Sequence, residues 1–217
     1  MNLMSMFSQL AAGFLVTVEI FVLTLLFSMP LGMIVAFGRM SKNGVIRTLS
    51  KLYISIMRGT PLMLQILVVY FGPFYAFGIK MGSGYRFPAV IIAFVINYAA
   101  YFAEIYRSGI ESMPKGQYEA AEILGYSKAQ TFFKIILPQV IKRVLPPVTN
   151  ETITLVKDTS LVYVLAMNDL MRTARNLVQR DFNITPFIVA GCFYLFATLI
   201  LTVIFERLEK HFSKYDQ

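Results

Sequence analysis

The segment GFLVTVEIFVLTLLFSMPLGMIVAFGR, residues 13–39, is almost entirely apolar and contains one acidic residue, Glu19. A helix needs about 20 mostly apolar residues to cross a bilayer, so we place a first transmembrane span at about 12–38. The rest of the chain has the same character. Of its 217 residues, 57% are hydrophobic and 15% are charged, whereas a soluble domain carries about a quarter charged residues. The composition predicts an integral membrane protein.

Four further spans follow from the remaining apolar runs and from the charges between them. We place them at about 52–77, 87–106, 144–167 and 184–205. The segment 144–167 is polar and would score poorly in a hydropathy window, but omitting it would put the basic residues of 107–143 and those of the C-terminus on opposite sides. With the N-terminus outside, most Lys and Arg residues between the spans fall on the inner side, as the positive-inside rule requires. We therefore predict an all-α, polytopic membrane protein in which residues 1–217 form one domain with five transmembrane helices and a cytoplasmic C-terminus.

A polar stretch, EAAEILGYSKAQTFFKIILP at 119–138, interrupts this apolar pattern on the predicted cytoplasmic side. It has the features of two short helices. Gly125 stands where a helix commonly stops in a left-handed residue, Ser127 begins a capping-box pattern, and Pro138 marks the predicted end of the second helix. The first helix carries acidic residues rather than a basic face, which anionic lipid would not favour. A protein partner fits this hairpin better than a membrane surface.

This stretch resembles the EAA loop of permease subunits of ATP-binding-cassette importers, through Glu119-Ala120-Ala121, Gly125 and Ile135-Ile136-Leu137-Pro138. Further segments are similar to the polar amino acid branch of that family. They are RGTPLMLQ (58–65), AEIYRSGIESMPKGQYEAAEILGYS (103–127), ILPQVIKRVLPPVTNETI (136–153) and KDTSLV (157–162). One departure is Ser108, where the family pattern has glycine. Together with the five-span pattern, the resemblance covers nearly the whole chain.

The resemblance implies a type I importer in which residues 107–143 form a cytoplasmic loop with a coupling-helix hairpin. Its ATPase-coupling residues would be Glu119, Ala120, Ala121 and Gly125. In that family, ATP binding closes two ATPase subunits, the hairpins move together, and the spans switch from inward-facing to outward-facing. The chain has no G-x-x-x-x-G-K-[ST] phosphate loop. We therefore expect no catalytic residue and no cofactor in this chain, with ATP and Mg bound by a separate ATPase subunit.

Five spans are too few to enclose a path, so the implied assembly has further members. We expect a second permease subunit, either an identical copy or a close paralogue, a cytoplasmic ATP-binding-cassette ATPase, and an extracellular or periplasmic amino acid-binding protein. The expected location is the cell membrane of a prokaryote. One histidine, His211, and one cysteine, Cys192, leave no clustered metal ligands and no nucleophile–base pair for a membrane enzyme. The sequence has no basic patch interleaved with aromatic residues, which is the pattern that would predict nucleic-acid binding.

Polar residues recur on single faces of the third and fourth predicted spans, which suggests a shared water-accessible cavity. The candidate substrate-binding residues are Asn97, Tyr98, Tyr101, Glu104, Glu151, Thr154 and Asp158. Carboxylates beside aromatic rings suit a cationic group, so we expect L-amino acids of the arginine, lysine and histidine class as substrates. Glutamine, cystine or another polar amino acid is the alternative within the same transporter class. A gated solute or ion channel is a more distant alternative.

Some of these positions have a purely structural alternative. Glu104 and Arg107 are three residues apart on a predicted helix and can simply form an ion pair. Arg58 is interpreted as an anchor at the inner face, where the second span opens with Thr60 as the helix cap and Pro61 in the first turn. The sequence leaves the choice for Glu104 open.

Overall fold

The computed structural model describes residues 3–213, and within that range the chain is helical without strands, as predicted. The α-helices are α1 (Leu3–Arg39), α2 (Gly44–Gly59), α3 (Leu62–Phe77), α4 (Arg86–Glu111), α5 (Lys115–Ile123), α6 (Lys128–Gln130), α7 (Leu137–Asp158), α8 (Leu170–Asp181) and α9 (Thr185–Ser213). Short 3₁₀ turns lie at Ser83–Tyr85 and Thr159–Leu165, and a π-helical turn lies at Thr131–Ile136. The predicted domain also includes residues 1–2 and 214–217, which lie outside the described range.

Within residues 3–213, three helices, α1, α4 and α9, are long and apolar enough to cross a membrane. The bent pair of α2 and α3 would add a fourth span if its two halves count as one. Helix α7 is not among them, in keeping with the polarity of the predicted span 144–167. The all-helical architecture fits a polytopic membrane protein, whereas the number of five spans and their orientation stay predictions.

The second predicted span, 52–77, is not one straight helix. The chain breaks at Thr60 and Pro61, and α2 and α3 meet at an angle of 109°. The prediction that Thr60 caps α3 is wrong, because its hydroxyl donates to the carbonyl of Ile56, one turn back in α2, at 2.8 Å. Pro61 itself stands at the cap position before α3, without a side-chain cap hydrogen bond. We call this break between α2 and α3 the hinge.

Helix α1 packs along α4 through a narrow stripe of mostly small residues. The buried positions of α1 recur every three or four residues; Gly32 among them faces α4, whereas Gly13 faces Asp169 and Thr173 at the start of α8. A β-carbon added at Gly32 would lie 3.0 Å from the backbone oxygen of Ala99 in α4, so a larger residue would push the two helices apart. Phe94 and Phe102 of α4 are fully buried in the main hydrophobic cluster. The core is therefore built around α4, which also contacts α2, α3 and α7.

The hairpin, residues 115–136, has the predicted turn chemistry. Gly125 has a φ of +76°, and the N–H of Tyr126 donates to the carbonyl of Ala121 at 3.0 Å, which closes the C-terminus of α5. Ser127 and Gln130 then form the reciprocal capping box that opens α6. These local contacts fix the turn of the hairpin, and the side chains of Gln117 in α5 and Gln139 in α7 exchange two hydrogen bonds of 2.8 Å that tie the hairpin to the bundle.

The prediction that Pro138 ends the second helix is wrong. Helical backbone continues from Lys128 to Asp158, through α6, the π-helical turn and α7. A proline inside a regular helix removes one N–H donor, and its ring crowds the preceding turn. The chain accommodates Pro138 by widening the turn at Thr131–Ile136 just before it.

Asp169 caps α8 from a buried position. Its carboxylate accepts hydrogen bonds from the N–H of Met171 at 3.0 Å and from the N–H of Arg172 at 3.1 Å. The N–H of Leu170 donates to the hydroxyl of Thr17 at 3.3 Å, which ties the start of α8 to α1. Burial raises the pKa of Asp169 to about 6, although the backbone donors offset part of that rise.

Candidate functional site

A cavity of about 640 Å³ opens between the end of α2, the second half of α4 and the middle of α7. Each of the three helices contributes polar side chains to its walls. These polar side chains include Arg58, Tyr101, Glu104, Arg143, Asn150 and Glu151. Three of the predicted substrate-binding residues, Tyr101, Glu104 and Glu151, are therefore brought together in one cavity, at the end of the bundle that carries the hairpin.

Arg58 lies on the cavity wall, in the last turn of α2. Its interpretation from the sequence as an anchor at the inner face did not predict this position. Its guanidinium carbon is 5.3 Å from the centroid of the Tyr101 ring, within the range of a cation–π contact. Its side chain makes no ion pair or hydrogen bond with the part of the chain that the structure describes. The bend after Gly59 separates α2 from the direction of α3, and the end of α2 with Arg58 lies beside α4. Hydropathy alone does not predict a bend of this size.

The hinge beside Arg58 is held by two side-chain amides. Asn97 of α4 donates through Nδ2 to the carbonyl of Met57 at 3.0 Å and to Oε1 of Gln65 at 3.0 Å. Gln65 in turn donates through Nε2 to the Met57 carbonyl at 2.9 Å and to the Thr60 hydroxyl at 2.8 Å. Asn97 is 4% exposed and does not line the cavity. Its amide fixes the backbone next to Arg58.

Glu104 lines the cavity, but it also forms the ion pair that the sequence left open. Arg107 donates through Nε to Oε2 of Glu104 at 3.1 Å, and its guanidinium also pairs with Glu111. One arginine thus bridges two carboxylates that face the same side of α4. The charge of Glu104 is therefore largely compensated within the helix.

The α7 wall carries two charged groups, of which one is hydrogen-bonded within the protein and the other is not. Arg143 donates through Nη1 to the carbonyl of Ser112 at 2.8 Å and to its hydroxyl at 3.1 Å, so its donors are partly occupied. Glu151 is half-buried, and over residues 3–213 its carboxylate has no hydrogen bond and no ion pair. Of the charged groups named here, Arg58 and Glu151 are thus the cation and the carboxylate that form no direct ion pair within residues 3–213.

Asp158 lies outside the cavity lining, two helical turns beyond Glu151 on α7. Its Oδ2 accepts a hydrogen bond of 2.8 Å from the hydroxyl of Tyr98, which is 1% exposed. The rings of Tyr98 and Tyr101 are 6.1 Å apart, so aromatic contact connects Asp158 to the cavity. Thr154 is exposed, and its hydroxyl donates within its own helix to the carbonyl of Asn150 at 2.9 Å.

The predicted coupling residues lie on the first helix of the hairpin and at its turn. Glu119 and Ala120 are exposed, Ala121 is buried and Gly125 forms the left-handed turn. An apolar tip, not predicted from the sequence, lies beside them. We define this tip by three exposed side chains, Ile123, Leu124 and Phe133, with exposures of 87%, 73% and 64%.

Comparison with known proteins gives closely similar relatives along most of the chain. The sequence is 37% identical over 199 residues to a putative glutamine transport system permease of Rickettsia conorii, covering 91% of this chain and 90% of the relative. It is 35% identical over 205 residues to the arginine transport system permease ArtQ of Bacillus subtilis, covering 94% and 92%. It is 34% identical over 208 residues to the L-cystine transport system permease TcyB of the same species, covering 95% and 87%.

Solved structures give the same result for the fold. A crystal structure of an amino acid ABC transporter with histidines matches with a TM-score of 0.86 at 31% identity, covering 97% of this chain and 99% of the other. The MetNI methionine ABC transporter in an inward-facing form has a TM-score of 0.67 at 17% identity, covering 95% and 94%, and shows the shared fold alone. Residues 28–214 match the family model described as "binding-protein-dependent transport system inner membrane component". The chain belongs to that family and is a permease subunit of an amino acid ATP-binding-cassette importer.

Proposed function

We propose that the preferred substrates of this permease are basic L-amino acids of the arginine, lysine and histidine class. The carboxylate of Glu151 carries the proposal, because it stands on the cavity wall without an ion-pair partner among residues 3–213. A carboxylate that is partly removed from water attracts a cationic group strongly. The ring of Tyr101 offers an aromatic face that suits the same group.

Asp158 supplies a second carboxylate further along the same helix. At a rise of 1.5 Å per residue, it lies roughly 10 Å beyond Glu151, so a cationic side chain could pass from one to the other. The hydroxyl of Tyr98 donates a hydrogen bond to Asp158 and holds this carboxylate in place. Glutamine and cystine remain the alternatives, since relatives named for those substrates match this chain about as well as the one named for arginine.

The proposed assembly follows from the family and from the hairpin. A separate ATPase subunit binds ATP and Mg and docks on the hairpin, a second permease subunit completes the path, and an external binding protein delivers the amino acid. Five spans with the N-terminus outside would place the hairpin in the cytoplasm of a prokaryotic cell and this multi-pass chain in its cell membrane. The exposed apolar tip of the hairpin supports an ATPase contact, because such side chains favour burial against protein.

The test is a ligand screen on the complex of the permease with its ATPase and binding protein, reconstituted in liposomes. We expect arginine, lysine or histidine to stimulate ATP hydrolysis and to be taken up. Glu151→Gln and Asp158→Asn should each weaken uptake of the basic amino acid at least about tenfold, while basal ATPase activity stays near that of the unaltered complex. Stimulation by glutamine or cystine alone would contradict the basic class. Flux that continues without nucleotide would favour a gated channel.

A further inference from the structure

We propose that Arg58 binds the α-carboxylate of the transported amino acid, opposite Glu151, so that the cavity selects zwitterions rather than simple amines. The inference rests on the proposed function in one respect, since it takes the cavity to be a substrate site. It does not depend on which amino acid side chain is carried. It assigns a binding role to a residue outside the set predicted from the sequence.

The charges of the cavity decide between a site for cations and a site for zwitterions. A site for simple cations would present only carboxylates, but here a guanidinium from α2 shares the cavity with the carboxylate of Glu151 from α7. Glu104 is already paired with Arg107, and Arg143 already donates to Ser112. The two groups left without an ion pair in the described residues, Arg58 and Glu151, have opposite charge.

The geometry of Arg58 suits a carboxylate ligand. A guanidinium presents its donors as a planar fork that matches two carboxylate oxygens, and such charge-assisted pairs are among the strongest hydrogen bonds in proteins. The guanidinium carbon lies 5.3 Å from the centroid of the Tyr101 ring, and the guanidinium makes no hydrogen bond within residues 3–213, so its N–H donors are available to a ligand. Glu151, on the α7 wall of the same cavity, can then accept hydrogen bonds from the α-ammonium group or from a cationic side chain.

The hinge keeps Arg58 in this position. The carbonyl of the preceding residue, Met57, accepts hydrogen bonds from both Asn97 and Gln65, at 3.0 Å and 2.9 Å. A side chain that emerges from a backbone held in this way loses less conformational freedom when it binds a ligand. The two amides therefore act as positioning residues for Arg58, although neither is among the cavity-lining residues.

The experiment compares amino acids with the amines that lack their α-carboxylate. Binding of L-arginine and agmatine, and of L-glutamine and 4-aminobutanamide, is measured on the purified permease–ATPase complex in lipid nanodiscs without the binding protein. We expect the unaltered complex to prefer each bound amino acid to its amine. Arg58→Gln should weaken amino acid binding about 10- to 100-fold and leave amine binding within about twofold, which removes the preference.

Two further variants keep the test decisive. Arg143→Gln is the matched control, since it removes another cavity arginine, one whose Nη1 is already hydrogen-bonded to Ser112, and it should leave the preference intact. Arg58→Lys keeps the charge but not the planar fork, so it should lose part of the preference even where Arg58→Gln fails to assemble. An amino acid preference that is unchanged in both Arg58 variants would overturn the inference.

The outcomes separate this inference from the proposed function. Binding of glutamine but not arginine would contradict the basic substrate class, while the glutamine pair would still test Arg58. A loss of arginine binding in Glu151→Gln with an unchanged preference in Arg58→Gln would support the proposed function and overturn the role of Arg58. If none of the four compounds binds, the cavity is not a substrate site and both proposals fail.

Discussion

The cavity and the hairpin differ in what they leave without a partner. In the cavity, Arg58 and Glu151 form no direct ion pair within residues 3–213, while the backbone at the hinge is held by Asn97 and Gln65. In the hairpin, the polar caps are satisfied while Ile123 and Leu124 stand almost fully exposed. The first arrangement suits a small charged ligand that comes and goes, because water can solvate the empty site. The second suits a protein surface that stays in contact, because exposed apolar area is costly in water.

The comparison also shows that a polar residue on a membrane helix need not be a ligand-binding residue. Asn97 and Glu151 were both predicted to bind substrate, and only Glu151 lines the cavity. Asn97 holds two hydrogen-bond partners inside the protein. Burial together with satisfied hydrogen bonding separates the structural polar residues from the candidate binding residues.

Replacing Ile123 and Leu124 together by aspartate should have the largest effect. Burial of each side chain against a partner is worth about 1.5–3 kcal/mol, so we expect ATPase association to weaken by at least about 100-fold and uptake to be lost. Co-purification of the ATPase measures the loss. Lys115→Gln, an exposed change at the start of the same helix, is the control and should leave the association intact.

Ligand binding to the isolated permease sharpens this prediction. The doubly altered hairpin should still bind the amino acid that the unaltered chain binds, because the cavity is formed by other residues. Loss of ligand binding together with the ATPase would show that the two regions are not separable and would contradict the comparison above.

Asn97→Leu should lower the stability of the permease by about 1–3 kcal/mol, because it leaves Oε1 of Gln65 without its buried donor and removes one donor from the Met57 carbonyl. The midpoint of thermal unfolding in detergent measures this. Thr154→Val is the matched control: Thr154 was also predicted to bind substrate, but its hydroxyl bonds only to its own helix. Equal stability of the two variants would mean that the hinge does not depend on the Asn97 amide.

Asp169 provides a prediction of similar size that depends on pH. Its pKa is about 6 in the folded chain against an ordinary value of 3.8, so the folded state holds more protons between those values. The free energy of unfolding should therefore fall as pH rises from about 4 to 6, by on the order of 1–3 kcal/mol. Unfolding midpoints measured between pH 4 and pH 7 would show this slope. Asp169→Asn keeps a capping oxygen and should flatten it, and an identical slope in both proteins would assign the effect to another group.

Local chemistry was the part of the fold best predicted from the sequence. Gly125 and the capping box of Ser127 and Gln130 depend on neighbouring residues only, so their patterns carry the needed information. The hinge at Thr60 and Pro61 was missed, because its angle depends on Asn97, a residue more than thirty positions away. Pro138 was misread because a widened turn absorbs it, and sequence rules describe regular helices.

The candidate site was predicted in part for the same reason. The spacing of Tyr101 and Glu104 put them correctly on one face, since helical periodicity is a local property. Arg58 escaped notice because it reaches the cavity only through the bend of the chain after α2. Asp158 was placed beside Glu151 by helical spacing, but the distance of two turns along α7 separates it from the cavity lining.

The unbroken helical backbone from Lys128 to Asp158 gives the molecule a lever. Gln130 at the hairpin and Glu151 at the cavity lie on the same continuous helical segment, roughly 30 Å apart along it at 1.5 Å per residue. A tilt of about 10° at one end would shift the other by roughly 5 Å, enough to carry the carboxylate of Glu151 away from Arg58. A movement of the hairpin would then change the binding of the substrate directly. The widened turn before Pro138 is the place where this helical segment can bend.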